Sequence, residues 1–184
     1  MKYPALGLTL VEFMAALAVA AVLLAVGLPG FRQMLVSNRL ATTGNALAGA
    51  FHLARQAAVA RNRPVTFCPG DAASGCRSDW SGGKWMQFVD ADHDGALDAG
   101  ETVLHAGAAA ESRQIDILCN RPMRRPIVFM PQGHAEQASG AFAAGTLRVC
   151  VHGDIHPNAI DLILAKSGRV RTEVRDFSGD CPPP

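Results

Sequence analysis

The sequence has almost no surplus charge: 17 Lys+Arg face 16 Asp+Glu over 184 residues, a formal net of +1. That excludes a histone-like polycation or an acidic tail protein, and it leaves no global field to steer a charged partner. Aromatic residues are scarce, at 6% with a single Tyr, so a core must be built mostly from aliphatic side chains. No Ser/His/Asp signature and no phosphate loop is present. The His–carboxylate constellations worth weighing for catalysis, His134 with Glu136 and His152-Gly153-Asp154 with His156, fit no catalytic spacing and are explained by turn polarity. We therefore expect no enzyme. There is no C-x-x-C, and the six histidines are scattered, which argues against zinc. No internal repeat and no long polar linker appears, and beyond Phe31 there is no second long apolar run.

What is present is one such run, at the N-terminus. Leu8 to Leu28 is 21 residues long and contains a single charge, Glu12. About 20 apolar residues in a helix rising ~1.5 Å each cross a ~30 Å hydrocarbon layer. The run is longer and starts earlier than in a cleaved secretory signal, whose apolar stretch is about 7–15 residues, although its Ala-rich stretch keeps cleavage near Ala25 as the competing pattern. A carboxylate inside such a helix costs roughly 2.5–3.5 kcal/mol on insertion scales. Glu12 therefore either reaches the headgroup region or has a function.

The residues around it favour function. Gly7-Leu8-Thr9-Leu10-Val11-Glu12-Phe13 resembles the class III signal of type IV pilins and type II secretion pseudopilins. The resemblance implies that a prepilin peptidase cuts between Gly7 and Leu8 and methylates Leu8. Glu12 then stands fifth in the mature chain, and Pro29 falls where many members carry a helix-kinking proline. Two features depart from the family pattern: the first mature residue is Leu rather than Phe, and Lys2 is the only positive charge in the leader. In a filament of bundled apolar helices, each Glu12 would meet the freed α-amine of a neighbouring subunit, since an unpaired charge in low dielectric is costly. A cytoplasmic N-terminus follows from the resemblance. Charge counting alone would not give it, because Arg32 and Arg39 follow the run and only Lys2 precedes it.

The helical pattern continues past the membrane-length run. No proline interrupts from Phe31 to Arg61, and Leu40, Leu47, Phe51, Ala54 and Ala58 share one face. The opposite face carries Arg39, Asn45, His52, Gln56 and Arg63. A helix from Leu8 to Arg61 has 54 residues; at ~1.5 Å each it is roughly 80 Å long. A kink is expected at Pro29, beside Gly27 and Gly30, and an end before Pro64. After Pro64 the period becomes two. Strands are expected at 65–68, 85–89, 102–105, 127–130, 146–151 and 160–164, with a Ser167-Gly168 hairpin into 169–174. The Pro182-Pro183-Pro184 tail is expected to fray. The fold class is thus α+β: a long N-terminal helix, half membrane and half amphipathic, packed on an antiparallel sheet, type IV pilin-like. The segments are a leader 1–7, a membrane helix 8–28, an amphipathic half 29–63 and a β-rich periplasmic head 64–184.

The head resembles the GspH/FimT-type minor pilins. The resemblance rests on Arg63-Pro64-Val65-Thr66-Phe67-Cys68, on Trp80 to Asp90 with Gly83, Trp85 and Phe88, on Phe129-Met130-Pro131-Gln132-Gly133, and on Gly168-Arg169-Val170-Arg171 followed by Cys181. Five cysteines (68, 76, 119, 150 and 181) all lie beyond the apolar run, where a periplasmic head permits disulfides. Leaving one out and pairing the others gives about 15 arrangements. Proximity favours Cys68–Cys76, while Cys150–Cys181 is implied by the family resemblance. Cys119 would then be unpaired and buried.

Two further patterns carry ligand chemistry. Asp90-Ala91-Asp92-His93-Asp94-Gly95-Ala96-Leu97-Asp98-Ala99-Gly100-Glu101 matches a calcium loop at every diagnostic place: carboxylates at positions one, three, five, nine and twelve, and glycine at six. Asp90, Asp92, Asp94, the Ala96 carbonyl, Asp98 and Glu101 are the expected ligands. Strands rather than helices flank the loop, so calcium would be structural. A solvated acidic turn is the competing reading. Arg169 and Arg171 lie two apart on a strand and share a face, with Arg175 further along and Arg121, Arg124 and Arg125 forming a second cluster. The Gly168–Arg171 stretch resembles the GRxR motif of FimT-type pilins, which implies DNA binding during natural transformation. The bland alternative is a charged edge strand.

The expected function is a minor pilin or pseudopilin, processed by prepilin peptidase, anchored by one helix in the bacterial inner membrane with its head in the periplasm. It would assemble with other pilin or pseudopilin subunits into the filament of a type II secretion or type IV pilus system. The alternatives are a pilin-like DNA receptor and a plain single-pass protein with a calcium-stabilised head.

Overall fold

The computed structural model describes residues 9–80, 82–108 and 115–184, without the side chains of Val26 and Pro29. The leader and the Gly7–Leu8 bond lie outside the described residues. Helix α1 (Leu10–Arg61) is one unbroken element of 52 residues. It starts two residues after the expected Leu8, because Thr9 stands outside it as the cap. Its backbone is helical through Pro29, whose side chain lies outside the described residues. The helix ends where Asn62 turns to a positive φ of 51° just before Pro64, and proline disfavours helix at the residue before it.

The chain forms two compact units, Met1–Val36 and Ser37–Pro184. In the first, the apolar side chains of the helix are in the open: Leu10, Val11, Phe13, Met14, Leu17, Val19, Val22, Leu23, Leu24, Leu28 and Phe31 are all exposed. By length and composition this stretch is apolar enough to cross a membrane.

In the second unit, the expected helical face is the buried one. Leu40, Leu47, Ala50, Phe51, Ala54 and Ala58 are all excluded from solvent, while His52 and Gln56 opposite them are exposed. This face covers two antiparallel sheets. The first runs β4 (Val103–Ala108), β3 (Lys84–Val89), β1 (Val65–Asp71), β6 (Ile127–Phe129), β7 (Ala135–Glu136), with β2 (Gly75–Cys76) added to β1. The second runs β10 (Val170–Arg175), β9 (Ala159–Leu164), β8 (Gly145–Val151), β5 (Ile115–Cys119).

Sheet alternation sorts the side chains. On β1 and β3, Phe67 and Gln87 point to the helix: Phe67 meets Phe51 at 4.6 Å between ring centroids, and Gln87 donates to the Ala50 carbonyl at 2.7 Å. Cys68, Met86 and Phe88 point the other way and form a second cluster, covered by Cys76, Leu97 and Val103. Each fully buried large side chain contributes about 1.5–3 kcal/mol. The second sheet reaches the helix through Ile160, against which a Cβ at Gly44 would come to 3.1 Å, so the helix is smooth where that sheet lies closest.

Two expectations change. Among the described residues the head has ten strands in two sheets rather than about seven in one, and the tail is pinned rather than frayed. Buried Asn158 donates to the Asp180 carbonyl at 2.8 Å and accepts from the Phe177 amide, and Arg148 Nη1 donates to the Pro182 carbonyl at 2.6 Å.

Candidate functional site

Glu12 closes the N-terminus of α1. The Thr9 amide and hydroxyl both donate to Glu12 Oε2 at 2.9 Å, and the Glu12 amide donates back to Thr9 Oγ1 at 3.3 Å. This is a capping box: two orphan donors of the first turn are satisfied by a Thr and a Glu three residues apart. It also places a negative charge at the positive end of the helix dipole. The Thr9-x-x-Glu12 spacing is a legible signal that the reading of Glu12 as an intersubunit acid passes over. The cap is the role the structure shows for this carboxylate.

The acidic loop joins β3 to β4, so strands flank it as expected. It is closed by its own hydrogen bonds. Asp90 is fully buried and accepts from Thr66 Oγ1 at 2.5 Å, the His93 amide at 2.8 Å and the Gly95 amide at 3.0 Å. Asp94 accepts from the Ala96 amide at 2.6 Å. Glu101 accepts from the Ala91 amide at 2.7 Å and the Asp98 amide at 3.2 Å. Asp90, Asp92 and Asp94 each place an oxygen within 4.8 Å of the others. Asp98 and Glu101 do not join that group; their contact runs through the Asp98 amide.

Arg169 and Arg171 are both exposed. Arg169 precedes β10 and Arg171 lies within it. Arg171 Nη2 contacts Glu173 at 3.1 Å, and Arg175 Nη2 donates to the same carboxylate at 2.5 Å. Glu173 thus takes up part of the positive charge of this face. Below the hairpin, Gly168 packs on the Gly133 carbonyl, which also accepts from Arg55 Nε at 2.7 Å. The Lys166 carbonyl accepts from the Ala135 amide at 3.2 Å, tying the two sheets together at this corner. The second arginine cluster disperses: Arg125 contacts Gln137 at 3.4 Å, and Arg124 faces Cys119.

Cys68 is bonded to Cys76 and Cys150 to Cys181. Cys119 is free, but half-buried rather than buried. Burial pushes its thiol pKa up, with Arg124 opposing.

One grouping escapes the sequence reading. Asp116 on β5, His152 after β8 and Cys181 in the tail each place a donor atom within 4.8 Å of the others. They are 36 and 29 positions apart in sequence, and only the β5–β8 register and the docked tail unite them.

A family model described as type II transport protein GspH matches residues 43–169. No curated protein matches the chain significantly. Among solved structures, the Pseudomonas aeruginosa type IV minor pilin FimU is 16% identical, with a TM-score of 0.54 over 74% of this chain and 90% of that one. A second crystal form of FimU gives 15%, 0.51, 73% and 92%. The solution structure of Escherichia coli GspH gives 14% identity and a TM-score of 0.45 over 77% of this chain and 92% of that one. At these identities the likeness to FimU speaks for the fold.

Proposed function

The chain belongs to the family of type II transport protein GspH, and from that premise we propose that it is a minor pseudopilin or pilin cut between Gly7 and Leu8, methylated at Leu8, and drawn from the inner membrane into a filament. The single observation that carries this is the exposed apolar stretch of helix that precedes a well-packed head in the sequence. Such a surface requires lipid or the helices of other subunits around it. Prepilin peptidase and neighbouring pilin subunits are the implied partners. In the filament, Glu12 neutralises the freed α-amine of an adjacent subunit. Pro29 stands where a kink would let the helices bundle.

Because Glu12 also caps its own helix, the test must separate the two roles. Gln in place of Glu keeps a capping-box acceptor but removes the charge. We expect Glu12→Gln to abolish co-purification with the other filament subunits as fully as Glu12→Leu. Normal assembly of Glu12→Gln would reduce the residue to a cap and sink the charge-pairing role.

The DNA-receptor reading is supported by the exposure of Arg169 and Arg171 and weakened by Glu173 between Arg171 and Arg175. Phosphate contacts by these arginines would be salt-sensitive. In an electrophoretic shift assay, loss of retardation in the Arg169→Ala/Arg171→Ala double variant supports it, and unchanged retardation removes it.

Calcium at the β3–β4 loop has its support in the loop pattern and in the convergence of Asp90, Asp92 and Asp94. Heat on calorimetric titration and a raised melting temperature at millimolar calcium, both lost in Asp92→Ala/Asp94→Ala, support a structural ion. No heat and no shift remove it.

A further inference from the structure

We propose that Asp116, His152, Cys150 and Cys181 form a zinc site that the Cys150–Cys181 disulfide masks. Donor atoms of Asp116, His152 and Cys181 already lie within 4.8 Å of one another, and Cys150 is bonded to Cys181. His152 Nε2 is 2.9 Å from Asp116 Oδ2. Two thiolates, one imidazole and one carboxylate match the preferences of tetrahedral zinc, which takes sulfur at ~2.3 Å and nitrogen or oxygen at ~2.0–2.2 Å.

The fold holds all four without help from the disulfide. Asp116 pairs directly with Cys150 across the β5–β8 ladder, and His152 lies two residues beyond Cys150, on the same side. Cys181 is fixed on both flanks. The Asp180 carbonyl accepts from Asn158 and the Pro182 carbonyl from Arg148, while the Gly179 carbonyl accepts from the Gly153 amide at 3.1 Å. Opening the S–S bond would leave the Cys181 sulfur beside the imidazole and the carboxylate, with Cys150 across the ladder from Asp116 to complete the set.

The chemistry balances in two steps. A dithiol donates two electrons to the disulfide, becomes a disulfide itself, and leaves Cys150 and Cys181 as thiols. Zinc then replaces the two thiol protons, which pass to water. Reoxidation runs the sequence backwards: a small-molecule disulfide takes two electrons and two protons to become two thiols, the Cys150–Cys181 bond re-forms, and the metal is released.

The test uses the full chain in detergent, with cobalt(II) as probe. The oxidised protein should give no thiolate-to-cobalt band. After reduction by a dithiol and anaerobic desalting, one equivalent of cobalt should give that band together with tetrahedral d–d absorption. His152→Ala and Asp116→Ala, both at exposed positions, should each weaken binding by about tenfold or more, while Cys119→Ser should not. Absence of the bands in the reduced parent, or their persistence at unchanged affinity in His152→Ala, overturns the site. Zinc-edge absorption of the reduced parent needs no variant: two sulfur and two nitrogen or oxygen neighbours are expected, and four sulfurs or none contradict it.

Discussion

At Gly168 the chain turns with φ of 72°, and a Cβ there would collide with the Gly133 carbonyl. Gly133, at φ of 84°, is itself pressed against Arg55. The glycine of the arginine hairpin is therefore structural, whatever the arginines do. Gly168→Ala should lower the unfolding free energy of the head by about 1–3 kcal/mol in urea, whereas exposed Arg169→Ala should fall within about 0.5 kcal/mol of the parent. Equal stability of the two variants would refute this. The sequence shows that Gly168 sits in a turn; that the turn meets Gly133, 35 positions away, is a tertiary contact no local pattern carries. Asp71 is a second case. Hydrogen bonds from the Ser74 amide and hydroxyl, with Lys84 beside it, hold its pKa at about 2, below the ordinary 3.8. A depressed carboxylate adds stability above its unfolded pKa, and that stability is lost as pH falls through the folded value. The Asp71 carboxyl carbon shift should therefore titrate near pH 2, and Ser74→Ala should move the midpoint up. A midpoint at the ordinary value would contradict the contacts.

At the scale of elements, what is legible follows burial periodicity. The α1 face at Leu40, Leu47, Phe51, Ala54 and Ala58 is readable because a 3.6-residue repeat survives wherever one side faces solvent. The alternating strands 85–89, 146–151 and 160–164 appear within a residue or so of their expected bounds. Strand β5 is not among the expected strands, since Ile115-Asp116-Ile117-Leu118-Cys119 is short and loses its alternation after Ile117, and β2 and β7 are two-residue pieces that exist only because a longer neighbour pairs with them. The division into two sheets has no local signal. Within the second sheet the clearest polar feature is the buried pair Arg148–Asp161, across β8 and β9: Nε to Oδ1 at 2.7 Å and Nη2 to Oδ2 at 2.8 Å. Arg148 also lies 4.2 Å from the Phe177 ring centroid. Removing the arginine leaves the buried carboxylate only the more distant Arg175, 3.7 Å away, and takes away one of the ties that hold the tail. Arg148→Met should cost the head about 3–5 kcal/mol, with faster exchange of the Phe177 amide. A change below about 1 kcal/mol would show the pair to be dispensable.

For the whole molecule, the sequence separates two regimes. An apolar run with one acid is legible because nothing in a water-soluble fold requires it, and among the described residues its large apolar side chains from Leu10 to Leu28 are exposed. The GspH family match over residues 43–169 spans the Phe129–Gly133 motif and ends at Arg169, short of Arg171. The capping role of Glu12 is hidden in the sequence because the Thr9-x-x-Glu12 spacing overlaps the stretch that resembles the processing signal. The most direct measurement is the intact mass of the chain recovered from bacterial membranes. The account predicts a polypeptide beginning at Leu8 and carrying one added methyl group; a chain that still carries Met1–Gly7 would contradict it.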